Sequence, residues 1–233
     1  MTILEPTKNW FRENILSLFL EIKISFFPPL MVYMAAGISG LTSIVGTFYV
    51  KERLGLSAEF LAALGFWAGL PWALKMPVGH LIDLIWKWKG LIVYLGASLI
   101  AASLSIMIML LSHTQAMSSI ATLESWFVLA TLLAPIGYVL QDVVADAMTV
   151  EAVPRVETDG GKINAHRRKS MHTTMQTLGR VAIIGGGIFV AIINMIVMRG
   201  VNELSEFEKA EAYLFVYQLG LIIPIVSILG VIL

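Results

Sequence analysis

The sequence predicts an all-α, polytopic transmembrane bundle of six spans, and three observations carry that expectation. Apolar residues make up 58% of the chain and charged ones 14%, with a mean hydropathy of +0.82, far outside the range of a water-soluble core. The apolar residues gather into six stretches, about 29–50, 60–81, 91–112, 125–148, 171–198 and 212–233, each long enough to cross a hydrocarbon layer of about 30 Å. Most of the charge collects between them. A formal net charge of zero with no large basic block gives no electrostatic footprint for nucleic acid. The absence of cysteine rules out a disulfide framework and thiolate ligands. His80, His113, His166 and His172 lack metal-ligand spacing, so neither a metal nor a cofactor is expected.

Residues 1–28 read as an amphipathic cytoplasmic or interfacial segment, with Lys8, Arg12, Glu13, Glu21 and Lys23 set among Trp10, Phe11, Ile15, Leu16, Phe19 and Leu20. Its charges interrupt any signal-peptide apolar region and no small-residue cleavage site follows, so it is expected to stay in the mature chain. Pro28 and Pro29 separate it from the bundle, residues 29–233. The first span, 29–50, holds 22 residues without charge, about 33 Å of helix. Its Gly37, Gly40 and Gly46 suit close approach of a neighbouring helix better than a solute path.

The second span is interrupted by Lys75 and closed by ALKMPVGHLID. Lys75 lies close enough to the polar end at His80–Asp83 to snorkel to the interface; the alternative is an acid partner inside the bundle. The third span is followed by a connection to Glu124 that carries neither Lys nor Arg. In the fourth, Trp126 to Gln141 is uncharged, and Asp142 and Asp146 then follow at i, i+4 without a turn signal. Helix is therefore expected to continue through both acids on one face. A carboxylate in hydrocarbon costs at least about 2.5–3.5 kcal/mol, so the pair implies a partner, a wet cavity, or both. The competing reading ends the helix near Gln141 and solvates the acids among headgroups.

Glu151 to Lys169, with Asp159-Gly160-Gly161 and the cluster His166-Arg167-Arg168-Lys169, reads as a solvent loop. The fifth span places Gln176 and Arg180 four residues apart on one face, ahead of Gly185-Gly186-Gly187. Arg180 stands about 13 Å along the helix from Met171, too deep to go without an anion. The sixth span reaches Leu233 without a polar flank, from which a piece of a longer protein is expected.

Lys and Arg residues beside the spans divide ten to four when the amino terminus is placed inside. The positive-inside rule thus predicts a multi-pass protein of a cell inner membrane with a cytoplasmic amino terminus. Lys75, Asp142, Asp146 and Arg180 then share the cytoplasmic half, where two bases and two acids can neutralise one another around a polar cavity.

Gly79 to Asp83, GHLID, with Lys87 and Lys89 beyond it, resembles the G-x-L-x-D loop motif between helices two and three of the major facilitator superfamily. The usual glycine before the basic pair is missing from Trp86 to Gly90, WKWKG, so gating contacts carry over only to Gly79 and Asp83. Within that superfamily, VKERLGLSAEFLAALGFWAGLPWALKMPVGHLID, QDVVADAMTVEAVP and MQTLGRVAIIGGG resemble the folate and biopterin transporter family over most of residues 30–190. The Gln-Asp-x-x-x-Asp-Ala pattern and an Arg before glycines are similar also to the muropeptide permease branch. The resemblance implies a twelve-helix transporter of which this chain supplies the amino-terminal half, its partners being the bilayer, an anionic solute, and a carboxy-terminal half or second copy. It implies secondary transport of an organic anion such as folate or a pteridine by alternating access, as a symporter. Lys75, Gln176 and Arg180 would meet the solute, and Asp142 or Asp146 would carry a proton. A muropeptide-type permease and a truncated, non-transporting membrane protein are the competing readings. No H-E-x-x-H, G-x-S-x-G or P-loop occurs, so an enzyme is not expected.

Overall fold

In the computed structural model, residues 24–49, 55–156 and 161–232 are described. The amphipathic reading of residues 1–28 falls almost wholly outside them, as do Lys51, Arg53, Asp159 and Gly160. Six helical spans are long and apolar enough to cross a membrane: Ile24–Thr47, Ala58–Leu84, Trp86–Ser112, Leu123–Ala152, Ala165–Val197 and Glu206–Ile232. Among the described residues the only β pairing is an isolated bridge between Val156 and Lys162.

Three spans are discontinuous, each for a local reason. The first starts with a 3-10 turn, Ile24–Phe26, and runs as helix from Phe27 to Ile38, earlier than the expected start at 29. Pro28 and Pro29 sit in its first turn, where a missing N–H costs nothing. A second 3-10 segment, Ser39–Thr42, then interrupts it before Ser43–Tyr49. The second span, capped by the Ser57 hydroxyl, breaks at Leu74 into Ala58–Ala73 and Lys75–Leu84. Pro77 has no N–H to offer the carbonyl of Ala73, and the break falls between them. Gly79 and Asp83 therefore lie in helix, which corrects the expectation of a loop there. The sixth span breaks likewise at Leu221, where Pro224 leaves Gly220 without its donor.

The fourth span is one unbroken helix through both aspartates, so the reading that ended it near Gln141 is overturned. The fifth starts at Ala165, its first turn capped by Asn164, which accepts from the His166 N–H at 3.0 Å. His166, Arg167, Arg168 and Lys169 thus belong to helix, another correction to the loop reading. At 33 residues this helix is about 50 Å long, so its first turns can extend past the hydrocarbon. The sixth begins at Glu206, six residues before expected, because Ser205 and Glu208 close a capping box.

Two glycine pairs set the closest helix approaches. A Cβ at Gly96 would fall 2.7 Å from the Gly137 carbonyl oxygen, binding the third span to the fourth, and one at Gly186 would fall 2.9 Å from the Gly37 backbone, binding the fifth to the first. Gly40 makes no comparable approach, since a Cβ added there would meet only Val190 Cγ1, at 3.9 Å. The main apolar core lies where the first, third, fourth and sixth spans meet, around Leu41, Ile100, Leu110, Val216 and Ile223. The second and fifth spans stand at the flanks with 6% and 17% of their apolar windows buried, against 39–44% for the other four.

Candidate functional site: a charged cleft between the first, second, fourth and fifth spans

The break at Leu74 puts Lys75 at the start of a half-helix packed on the fourth span. Its ammonium lies 2.5 Å from Asp142 Oδ2 and 2.8 Å from Asp146 Oδ2. Pairing inside the bundle is thus what the structure shows for Lys75. The two acids differ in setting: the Asp142 side chain is 9% exposed and the Asp146 side chain 49%. Asp142 is sealed against its lysine, whereas Asp146 opens onto free space on both sides.

Tyr33 of the first span donates its hydroxyl to the other Asp146 oxygen, Oδ1, at 2.5 Å. The phenol ring passes over Gly179 of the fifth span, where an added Cβ would come within 2.7 Å of it. Gly179 therefore opens the route by which Tyr33 reaches the acid. Tyr33 carries no pattern in the sequence that marks it; a lone tyrosine in an uncharged span reveals nothing about the helix it faces.

Arg180 lies beside that contact and is exposed. Among the described residues it has no carboxylate within 4.0 Å, so the expected acid partner is not there. Lys75 already occupies the carboxylate oxygens facing the second span and Tyr33 the one facing the first. Arg180 instead lines a cleft of about 480 Å³ with Tyr33, Asp146, Thr149, Gln176 and Gly179. On the opposite side of Asp146, a cleft of about 640 Å³ is lined by Lys75, Gly79, Asp83, Trp86 and Glu151. Asp146 and, one turn on, Val150 line both. Asp83 is exposed and lines that cleft with no ion pair among the described residues, and a Cβ added at Gly79 would meet Val143 at 3.5 Å, ordinary van der Waals contact.

Two polar clusters outside the expected set support this arrangement. At the mouth of the larger cleft, Glu151 accepts from Trp86 Nε1 at 2.5 Å and pairs with Lys89, whose ammonium sits 4.6 Å from the Trp86 ring centroid. The WKWKG stretch that departs from the superfamily pattern thus ties the end of the fourth span to the start of the third. Deeper in, Gln141 donates to the Val93 carbonyl at 3.3 Å and accepts from Ser227 at 2.9 Å, joining the third, fourth and sixth spans. Gln141 precedes Asp142, so this network also fixes the rotation of the fourth helix at the acids.

With Lys75 set against two carboxylates, the cluster carries one excess negative charge, and Arg180 in the same cleft balances it. Such a site can dock an anion on a guanidinium free of protein carboxylates and can hold a proton on a half-exposed carboxylate.

Six spans long and apolar enough to cross a bilayer mark an integral, multi-pass membrane protein. The chain belongs to the BT1 family, a family of transporters of the folate and biopterin type, whose model matches residues 36–179. That stretch contains Lys75, Asp142, Asp146 and Gln176 and stops one residue short of Arg180. No curated protein and no solved structure matches the chain.

Proposed function

We propose that the chain is a secondary active transporter of an organic anion, or the amino-terminal half of one, working by alternating access with Arg180 as the docking group for the anion. The observation that carries this reading is that Arg180 has no acid partner within 4.0 Å among the described residues while it lines the same cleft as Asp146. A guanidinium at this depth is costly unless something negative meets it, and a solute carboxylate supplies that charge. Gln176, one turn earlier on the same helix, adds amide donors at the cleft wall. Lys75 holds Asp142 in place, and Asp146, reached from both clefts, takes the coupled proton. A singly charged anion and one proton entering together leave the net charge of the cavity unchanged, which is the electrostatic basis for symport here; a dicarboxylate such as folate adds one negative charge that Arg180 offsets. Gly79 and Asp83 at the edge of the neighbouring cleft serve the closing movement.

Folate or another carboxylated pteridine is the solute favoured by family membership. Labelled folate is offered to the purified chain in lipid nanodiscs and binding measured by equilibrium dialysis. The expected result is saturable binding that excess unlabelled folate displaces and a muropeptide does not, lost in Arg180→Leu while the elution profile is unchanged. Equal binding by Arg180→Leu removes the docking role. As a half-transporter the chain supplies one wall of the cavity, so uptake into liposomes is expected to stay at the level of protein-free controls. The cytoplasmic amino terminus is tested by single cysteines in this cysteine-free sequence. An impermeant reagent applied to intact cells is expected to label Ser118→Cys and not Gly161→Cys, and the reverse pattern inverts the topology.

A further inference from the structure

The half of the bundle away from the 153–164 connection contains a third cavity, of about 460 Å³, between the first, second, third and fourth spans, with Tyr217 of the sixth at its edge. That volume lies within the range of about 300–1,000 Å³ typical of small-molecule pockets. Its chemistry differs from that of the charged clefts. Among the described residues no Asp, Glu, Lys, Arg or His lines it. Four aromatic side chains, Trp72, Phe127, Tyr138 and Tyr217, line it together with six Ser or Thr residues, Thr42 and Thr131 among them.

The state of those hydroxyls is informative. Three of the lining hydroxyls are spent on backbone: Ser43 donates to Gly40 O at 2.7 Å, Thr47 to Ser43 O at 3.0 Å and Ser103 to Ala130 O at 2.6 Å. Thr42, Thr131 and Tyr138 make no hydrogen bond among the described residues, although Thr131 sits in regular helix with the Phe127 carbonyl four residues behind it. Thr42 is held in place from outside. Asn194 of the fifth span donates to the Leu41 carbonyl at 3.3 Å, pinning the 3-10 segment Ser39–Thr42 that forms one wall. Thr131, Pro135, Tyr138, Asp142 and Asp146 follow at intervals of four, three, four and four residues, so one face of the fourth helix runs from this cavity down to the acid pair.

We infer that this cavity is a second, uncharged ligand site, which takes a flat heteroaromatic group whose ring stacks on the aromatic walls and whose edge atoms bond Thr42, Thr131 and Tyr138. Aromatic walls select a flat ring. Hydroxyls, which donate and accept, select mixed hydrogen-bonding edges. The lack of charged residues selects a neutral group. The site does not depend on what docks at Arg180, and it accommodates either the neutral end of an anionic solute or a separate molecule.

The test uses adenine, uracil and pterin as neutral probes, dialysed against the whole chain in nanodiscs with protein-free nanodiscs subtracted. At least one probe is expected to bind saturably, at one per chain. Tyr138→Phe and Thr131→Val, which remove a hydroxyl with little change of shape, are each expected to weaken it about ten-fold. Trp72→Ala is expected to weaken it as well, and Arg180→Leu to leave it unchanged. Competition then separates the two sources: folate displacing the ring probe in wild type but not in Arg180→Leu marks one solute bridging both sites, and no displacement marks a separate ligand. Absence of saturable binding by all three probes overturns the inference, as does undiminished binding in the Tyr138→Phe/Thr131→Val double variant, the behaviour of a slot for a lipid chain. Ring binding that needs Arg180 but not the hydroxyls also overturns it, while leaving the anion-docking reading standing.

Discussion

Lys75 and Arg180 come toward Asp146 from the two least covered spans of the bundle, the second and the fifth. They end in opposite conditions. Lys75 lies within 2.8 Å of both carboxylates, whereas Arg180 shares a cleft with one of them and pairs with neither. The difference comes from what each helix does near its cation. A proline break lets the second span place its lysine directly over the acids. The fifth span runs unbroken, bound to the first span at Gly186, and beside its arginine Gly179 admits the ring of Tyr33, which bonds Asp146. One cation is consumed in holding the wall together, and the other meets no carboxylate among the described residues.

The largest effect that would break this contrast is on binding. Arg180→Leu is expected to cost about 2–5 kcal/mol of anion affinity by dialysis, while its unfolding midpoint in detergent stays within about 0.5 kcal/mol of wild type. A large loss of stability in that variant would mean that Arg180 too is consumed by the fold.

Lys75 is expected to behave the other way. Lys75→Met leaves Asp142 buried beside an apolar chain, and reversible unfolding should show a loss of about 2 kcal/mol. That is less than the roughly 3–5 kcal/mol of a fully buried pair, because 34% of the lysine side chain is exposed. Adding Asp142→Asn should return most of the loss, giving a coupling energy of about 1–2 kcal/mol. The cycle built from Arg180→Leu and Asp142→Asn should give a coupling near zero, and two equal couplings would erase the distinction between the cations.

A smaller change sharpens the contrast. Tyr33→Phe removes the donor to Asp146 and is expected to cost about 1–2 kcal/mol in the same unfolding assay. Gly179→Ala, which drives a methyl into the Tyr33 ring, should cost at least as much, and the two combined should cost less than their sum, because the hydrogen bond is lost only once while the ring of Phe still meets the methyl. Smallest of all, Gly185→Ala and Gly187→Ala should each move stability by less than about 0.5 kcal/mol, since nothing lies within 4 Å of a Cβ at either position. A larger shift would show that the outer face of the fifth span is covered when the chain is in its membrane.

Much of the bundle was legible from local pattern. Charge-free length marked the spans, and the i, i+4 spacing of Asp142 and Asp146 without a turn signal predicted that the helix would carry both. Helix starts were read less well because the caps lie outside the apolar runs. Asn164 begins the fifth helix and the Ser205-x-x-Glu208 box begins the sixth, both visible in the sequence yet placed where composition suggested loop. The GHLID stretch was assigned to a loop by family resemblance, whereas its own residues continue the second span as helix once the Pro77 break is passed.

By itself the sequence determined that this protein is a six-span helical bundle and that four charges would have to be accommodated within it. Both follow from the free energy of putting side chains into hydrocarbon, a property of each residue and its neighbours along one helix. The tertiary structure alone decided that Lys75 and not Arg180 meets the acids, that Tyr33 completes Asp146, and that Gln141 locks the fourth span to the third and sixth. These depend on the axial shift and rotation of one helix against another. In a bilayer, lipid-facing and protein-facing residues are equally apolar, so the hydrophobic pattern that sets such registers in water is absent. Close glycine contacts and buried polar pairs set them instead, and those exist only once the helices have met.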